Sequence, residues 1–167
     1  MKQKNQIILS LVVLVSNFSL DRITKMIAID YLKGENPISF FYNTVILKYV
    51  ENTGAFLSAG SSLPESLKYI FLIILPLLVC MYGLYYSAFK LNNKKLIISI
   101  VSIIGGGFGN LTDRLFYDFH VVDFLNFGIG NLRTGILNVA DMSVTFGVMF
   151  LVYYTIKNKP DNKQIDQ

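Results

Sequence analysis

The chain has 167 residues, 53% of them apolar and only 16% charged, with a mean hydropathy of +0.48 and a formal net charge of +4. Soluble domains carry about 25% charged residues and disordered chains lack this much apolar side chain, so both classes are excluded. One Cys (Cys80) and one His (His120) rule out an intrachain disulfide, a four-residue Cys/His zinc site and the paired-His helix of zinc proteases.

Four apolar segments organise the chain, at residues 6–29, 67–89, 96–116 and 138–156. Each is close to the roughly 20 residues that a helix needs to cross a hydrocarbon core about 30 Å thick. No water is present there to satisfy backbone polar groups, so each span must be helical. The expected fold is a mainly α membrane protein in one integral domain over 1–167: a four-transmembrane-helix bundle with a small extracytoplasmic β-sheet and loop cap. The first segment follows Lys2 and Lys4, as a secretory signal would. It ends in Asn17-Phe18-Ser19-Leu20-Asp21-Arg22, without the small-x-small pattern of a cleavage site, and is read as a retained span.

Within the first span, Asp21 and Lys25 stand four apart on one helix face. They can form an i,i+4 ion pair, worth about 0.2–0.5 kcal/mol in water, or support a site, and the two roles are compatible. Residues 31–64 follow as the extracytoplasmic β segment. Aromatic and β-branched residues concentrate at 37–50, favouring strands, before Glu51-Asn52-Thr53-Gly54-Ala55-Phe56 breaks the pattern. Cys80 lies among apolar residues of the second span and reads as core packing.

The third span contains Gly105-Gly106-Gly107-Phe108-Gly109, small residues that let membrane helices pack closely. Asn110-Leu111-Thr112-Asp113-Arg114 comes next, so Asn110, Asp113 and Arg114 can share one bundle-facing surface. Asp113 and Arg114 can equally compensate each other's charge. Residues 117–137 read as a loop with one or two strands, holding His120 and Asp123; the latter is a lone acid between Val122 and Phe124. The fourth span opens Asn138-Val139-Ala140-Asp141, where Asn138 suits an N-cap and Asp141 the N3 position of a capping box.

Charge sets the expected orientation. Lys2, Lys4, Lys90, Lys94, Lys95, Lys157, Lys159 and Lys163 gather on one side, which the positive-inside rule makes cytoplasmic, with both termini. Of eleven acids, Asp21, Asp30, Glu35, Glu51, Glu65, Asp113, Asp118, Asp123 and Asp141 lie on the other face, and only Asp161 and Asp166 stay in the tail. Odd spans end outside and even spans begin there, so Asp21, Asn52, Asn110, Arg114, Asp123, Asn138 and Asp141 arrive at one membrane level. Charged groups inside spans are functional candidates because they are expensive to leave unpartnered.

The motifs Asp21-x-x-Thr24-Lys25, Asn52-Thr53-Gly54-Ala55-Phe56, Gly109-Asn110-x-x-Asp113-Arg114, Val122-Asp123-Phe124 and Asn138-x-Ala140-Asp141 together resemble the bacterial lipoprotein signal peptidases, or signal peptidase II, over residues 6–157. The resemblance implies an intramembrane aspartic endopeptidase of the cytoplasmic (inner) membrane, its active site at the extracytoplasmic face. Asp123 and Asp141 would be the catalytic pair and Asn52 and Arg114 substrate contacts. Gly54, Asn110, Asn138, Asp21, Lys25 and Asp113 would bind substrate or order the site. The implied substrate is a prolipoprotein whose lipobox Cys carries a diacylglyceryl group, cut on the amino side of that Cys. Membrane lipid is the other expected partner, with no nucleic acid, metal or cofactor, and a monomer is the default state. Three departures, Arg22 in place of Gln, Leu57 in place of a small residue, and 133–137 without Pro-x-Phe, bear on substrate fit and loop shape. A binding relative without activity and a small proton-coupled transporter are the alternatives; the transporter predicts midplane acids and internal repeats, neither of which the sequence has.

Overall fold

The computed structural model describes residues 1–55 and 59–158. Four helices dominate it: α1 (Gln3–Leu32), α2 (Glu65–Phe89), α3 (Lys94–Phe116) and α4 (Val139–Lys157). All are long and apolar enough to cross a membrane, and their ends fall within three residues of the expected spans. The starts have local causes. The Asn93 side chain accepts hydrogen bonds from the backbone N–H groups of Lys95 and Leu96, closing the first turn of α3. In α2, the turn at Tyr69–Ile74 widens to π-helical geometry just before Pro76. A proline ring has no N–H and crowds the carbonyl four residues back, and the wider turn makes room for it.

α3 is the central helix. Half of its most apolar stretch is buried inside the protein, against 11% for α1 and α4. Its glycines permit this: a Cβ on Gly106 would lie 2.4 Å from the Ala140 carbonyl oxygen of α4, and one on Gly107 would lie 2.8 Å from Cys80 Sγ of α2. Cys80 is buried in that contact, as core packing requires. The outward faces carry exposed Leu11, Val12, Leu78, Val79, Phe146 and Val152, the apolar coat of a protein whose solvent there is lipid.

An antiparallel four-stranded sheet, ordered β1-β2-β3-β4, covers the end of the bundle where α1 and α3 finish and α2 and α4 begin. Its strands are β1 (Ile38–Phe40), β2 (Val45–Asn52), β3 (Val121–Ile129) and β4 (Leu132–Arg133). The strand-rich stretch expected at 37–50 is divided by a turn, in which Phe41, Tyr42 and Asn43 all adopt positive φ, and β2 runs on to Asn52. The 117–137 segment holds two strands, as expected. Register places Val50 opposite Asp123 and Asn52 opposite Val121, so Asn52 and Asp123 share a face. The other face packs Val122 and Phe124 on Ala28 and Leu32 at the end of α1.

Candidate active site

The site is assembled around the first turn of α4. Asn138 Oδ1 accepts a hydrogen bond from the Asp141 N–H at 2.8 Å, and Asp141 Oδ2 accepts one from the Asn138 N–H at 3.2 Å. The capping box read from the sequence is therefore complete, and it leaves the Asn138 amide free for a second task. Its Nδ2 donates to Asp123 Oδ1 at 2.6 Å, to Asn110 Oδ1 at 3.1 Å and to the Val122 carbonyl at 3.2 Å. Asp123 and Asp141 thus both hydrogen-bond to one buried asparagine. Asn110 Nδ2 donates to the remaining Asp141 oxygen at 2.9 Å, and Asn52 Nδ2 donates to the remaining Asp123 oxygen at 3.1 Å.

Asp123 is only 2% exposed. Burial, and next the nearby charge of Asp141, push its pKa up to about 7, against the hydrogen bonds from Asn52 and Asn138 that favour its charged form.

Below these acids lies a second layer of acidic and basic side chains. Lys25 Nζ stands 2.7 Å from Asp113 Oδ2 and 3.1 Å from Asp21 Oδ2, and it donates to Asn110 Oδ1 at 2.7 Å. The i,i+4 pair expected of Asp21 and Lys25 exists, but as one edge of this network. Gly109 makes room for it, since a Cβ there would come within 2.5 Å of Asp21 Oδ2. Asp113 and Arg114 feel each other's charge but form no direct ion pair. Successive side chains on a helix diverge by about 100°, and Asp113 turns to Lys25 and Arg22 instead. Arg114 Nη2 donates to the Gly54 carbonyl at 2.7 Å, while the Gly54 N–H donates to Asn52 Oδ1 at 3.0 Å. Gly54 thereby couples Arg114 to the residue that orients Asp123.

Every expected site residue is accordingly in the cluster: Asp21, Lys25, Asn52, Gly54, Asn110, Asp113, Arg114, Asp123, Asn138 and Asp141. Arg22 joins them without having been expected there. Its Nη2 lies 2.9 Å from Asp21 Oδ2 and its Nη1 lies 2.6 Å from Asp113 Oδ1. Its partner Asp113 is remote in sequence, so no local spacing announces the contact. Four carboxyls (Asp21, Asp113, Asp123, Asp141) meet three cations (Arg22, Lys25, Arg114), and one proton held by the carboxyls leaves the cluster neutral. Among the described residues, no three His, Cys, Asp or Glu side chains are grouped to hold a metal ion. His120 is a loop residue, its Nδ1 turned to the carbonyls of Tyr117 and Asp118. At 133–137, Arg133 reaches Asn126 and the Asn43 carbonyl, and Leu137 pairs with Leu125 to lead the chain into Asn138. Leu57 lies outside the described residues.

The sequence profile described as Signal peptidase (SPase) II matches residues 12–157. The chain belongs to the signal peptidase II family. It is 33% identical over 161 residues to the lipoprotein signal peptidase of Borrelia duttonii (strain Ly), covering 93% of this chain and 94% of the relative. With that of Borrelia garinii subsp. bavariensis the identity is 39% over 155 residues, 89% of this chain and 91% of the relative. A solved bacterial membrane enzyme structure at 2.3 Å resolution superposes with a TM-score of 0.77 at 23% identity, over 95% of this chain and 93% of the other, and shows that the fold is shared. A second, at 1.9 Å resolution, gives 0.76 at 24% identity, over 89% of this chain and 93% of the other. The signal peptidase II family consists of aspartic peptidases of the membrane, and four spanning helices with a small sheet fit that membership.

Proposed function

We propose that Asp123 and Asp141 are the catalytic pair of a signal peptidase II enzyme that removes the signal peptide from diacylglyceryl-modified prolipoproteins, on the amino side of the lipidated Cys. The observation that carries this is the bridging of the two acids by Asn138 at the sheet-covered end of the bundle. Two adjacent carboxyls in a water-poor site cannot both ionise cheaply, so they share one proton and titrate as a unit. The ionised carboxyl takes a proton from a water molecule, whose oxygen attacks the scissile carbonyl carbon. The protonated carboxyl hydrogen-bonds the carbonyl oxygen as negative charge builds there. As the C–N bond breaks, the leaving amine of the Cys takes up a proton and the pair returns to one shared proton.

The surrounding residues supply orientation. Asn52 and Asn138 hold both oxygens of Asp123, Asn110 and the α4 cap hold both oxygens of Asp141, and Arg114 with Gly54 and Asn52 forms the substrate-contacting rim. The gathering of Lys2, Lys4, Lys90, Lys94, Lys95 and Lys157 at one end of the bundle supports cytoplasmic termini and a site at the extracytoplasmic face. There the acyl chains of the substrate stay in the bilayer while the scissile bond reaches the acids.

The test uses purified protein in lipid vesicles with a diacylglyceryl-modified precursor. Wild type should release the signal peptide, and Asp123→Asn and Asp141→Asn should each abolish release while remaining membrane-inserted. Full processing by either variant would refute the pair. Binding of the precursor without release by wild type would mark an inactive relative.

A further inference from the structure

We propose that Arg22 is a positioning residue that sets the spacing of Asp123 and Asp141 through the two carboxylates it bridges; this role rests on the catalytic pair proposed above. Asp21 Oδ1 accepts a hydrogen bond from the Ala140 N–H at 2.9 Å, which is the amide just before Asp141. Asp113 Oδ2 accepts one from the Val122 N–H at 3.3 Å, which is the amide just before Asp123. Each acid of the pair is thus suspended, one residue away, from a different buried carboxylate: one on α1, the other on α3. Whatever fixes the separation of Asp21 and Asp113 also fixes the seats of Asp141 and Asp123.

Two cations span those carboxylates. Lys25 is one, a compact charge on a flexible stem that also serves Asn110. Arg22 is the other, and it reaches Asp21 with one end of a rigid planar fork and Asp113 with the other, at 2.9 and 2.6 Å. Both carboxylates are buried, so their mutual repulsion is poorly screened and a single lysine would have to hold them together alone. With Arg22 the lower layer has two acids and two bases. Without it, one uncompensated negative charge stands beside the pair, where Asp21 and Lys25 are charged neighbours of Asp141, and Asp141, Lys25 and Arg114 those of Asp123.

Charge and geometry separate in two variants. In Arg22→Gln both are lost: kcat should fall about tenfold, the cost of a slight misplacement of reacting groups, while KM stays within about twofold. The pH limb on which the pair ionises should move to higher pH. Arg22→Lys keeps the charge and loses the fork, so it should restore the pH limb but only part of kcat. Amide hydrogen exchange at 121–125 and 138–142 should quicken in Arg22→Gln, whether or not substrate is cut. Wild-type kcat, pH profile and exchange in Arg22→Gln would overturn the proposal, as would a change confined to KM, which would make Arg22 a substrate contact. Should Arg22→Gln fail to fold, Arg22→Lys decides: kcat and exchange equal to wild type would overturn the strut. If wild type itself releases no signal peptide, the peptidase function fails, and the exchange comparison still judges Arg22.

Discussion

Asn138→Ala tests the central contact of the site at two levels. It removes the N-cap of α4, a loss of about 1 kcal/mol, and withdraws a buried donor from Asp123, Asn110 and Val122. Asn110 keeps Lys25 as a donor, so Asp123 and the Val122 carbonyl bear the deficit, bringing the expected destabilisation to roughly 2–4 kcal/mol. The second level is titration. A hydrogen bond to a charged acceptor contributes about 1.5–3 kcal/mol, and losing it disfavours the ionised form of Asp123 by about one pKa unit at the low end. From a starting value of about 7, the ionised fraction at pH 7 then falls from about one half to about one tenth. Because the pair works with one shared proton and Asp123 loses it beside a charged Asp141, the alkaline limb of cleavage should move up by about one pH unit, and any loss from misplacement should be smaller at pH 9 than at pH 7. The assay is kcat/KM on a lipidated precursor across pH 5–10, with thermal unfolding in detergent as the stability readout. A loss of the same size at pH 7 and pH 9 would refute the titration argument and leave Asn138 as a structural cap.

Other expectations follow from the same contacts. Because folding raises the Asp123 pKa from 3.8 to about 7, the folded state keeps a proton that the unfolded chain releases. Stability from this group is fully present below about pH 4 and is lost as pH rises towards 7, by at most about 1.4 kcal/mol per unit. Asp123→Asn should flatten that slope in pH-dependent melting, even though its amide must face the donors Asn52 and Asn138. Gly109→Ala drives a methyl into Asp21 and should cost about 1–3 kcal/mol, with loss of cleavage, measurable by melting and by turnover. Arg114→Lys loses the fork that holds the Gly54 carbonyl and should lower kcat/KM about tenfold, mainly through KM; an unchanged KM would remove Arg114 from the substrate rim.

The spans were legible because twenty-odd apolar residues between polar flanks have one physical outcome in a bilayer. The α4 cap was legible because Asn138 and Asp141 interact across three residues. The turn at Phe41, Tyr42 and Asn43 was not, since aromatic side chains carry no turn signal and only the folded sheet holds them at positive φ. The second tasks of Asp21 and Asp113 were hidden too. Asp21 meets the Ala140 amide 119 positions away, a pairing that no local periodicity encodes. Arg22 looked like a question of substrate fit because its acidic neighbour on α3 enters only when the helices pack.

Asn138 begins the last helix and also joins the two acids, so the order of biogenesis bears on when the protein can act. A nascent chain with α1, the sheet and α3 in place still lacks Asp141 and the amide that steadies Asp123. Proteolytic competence therefore arrives only when the final helix seats, and a chain stalled during insertion is latent.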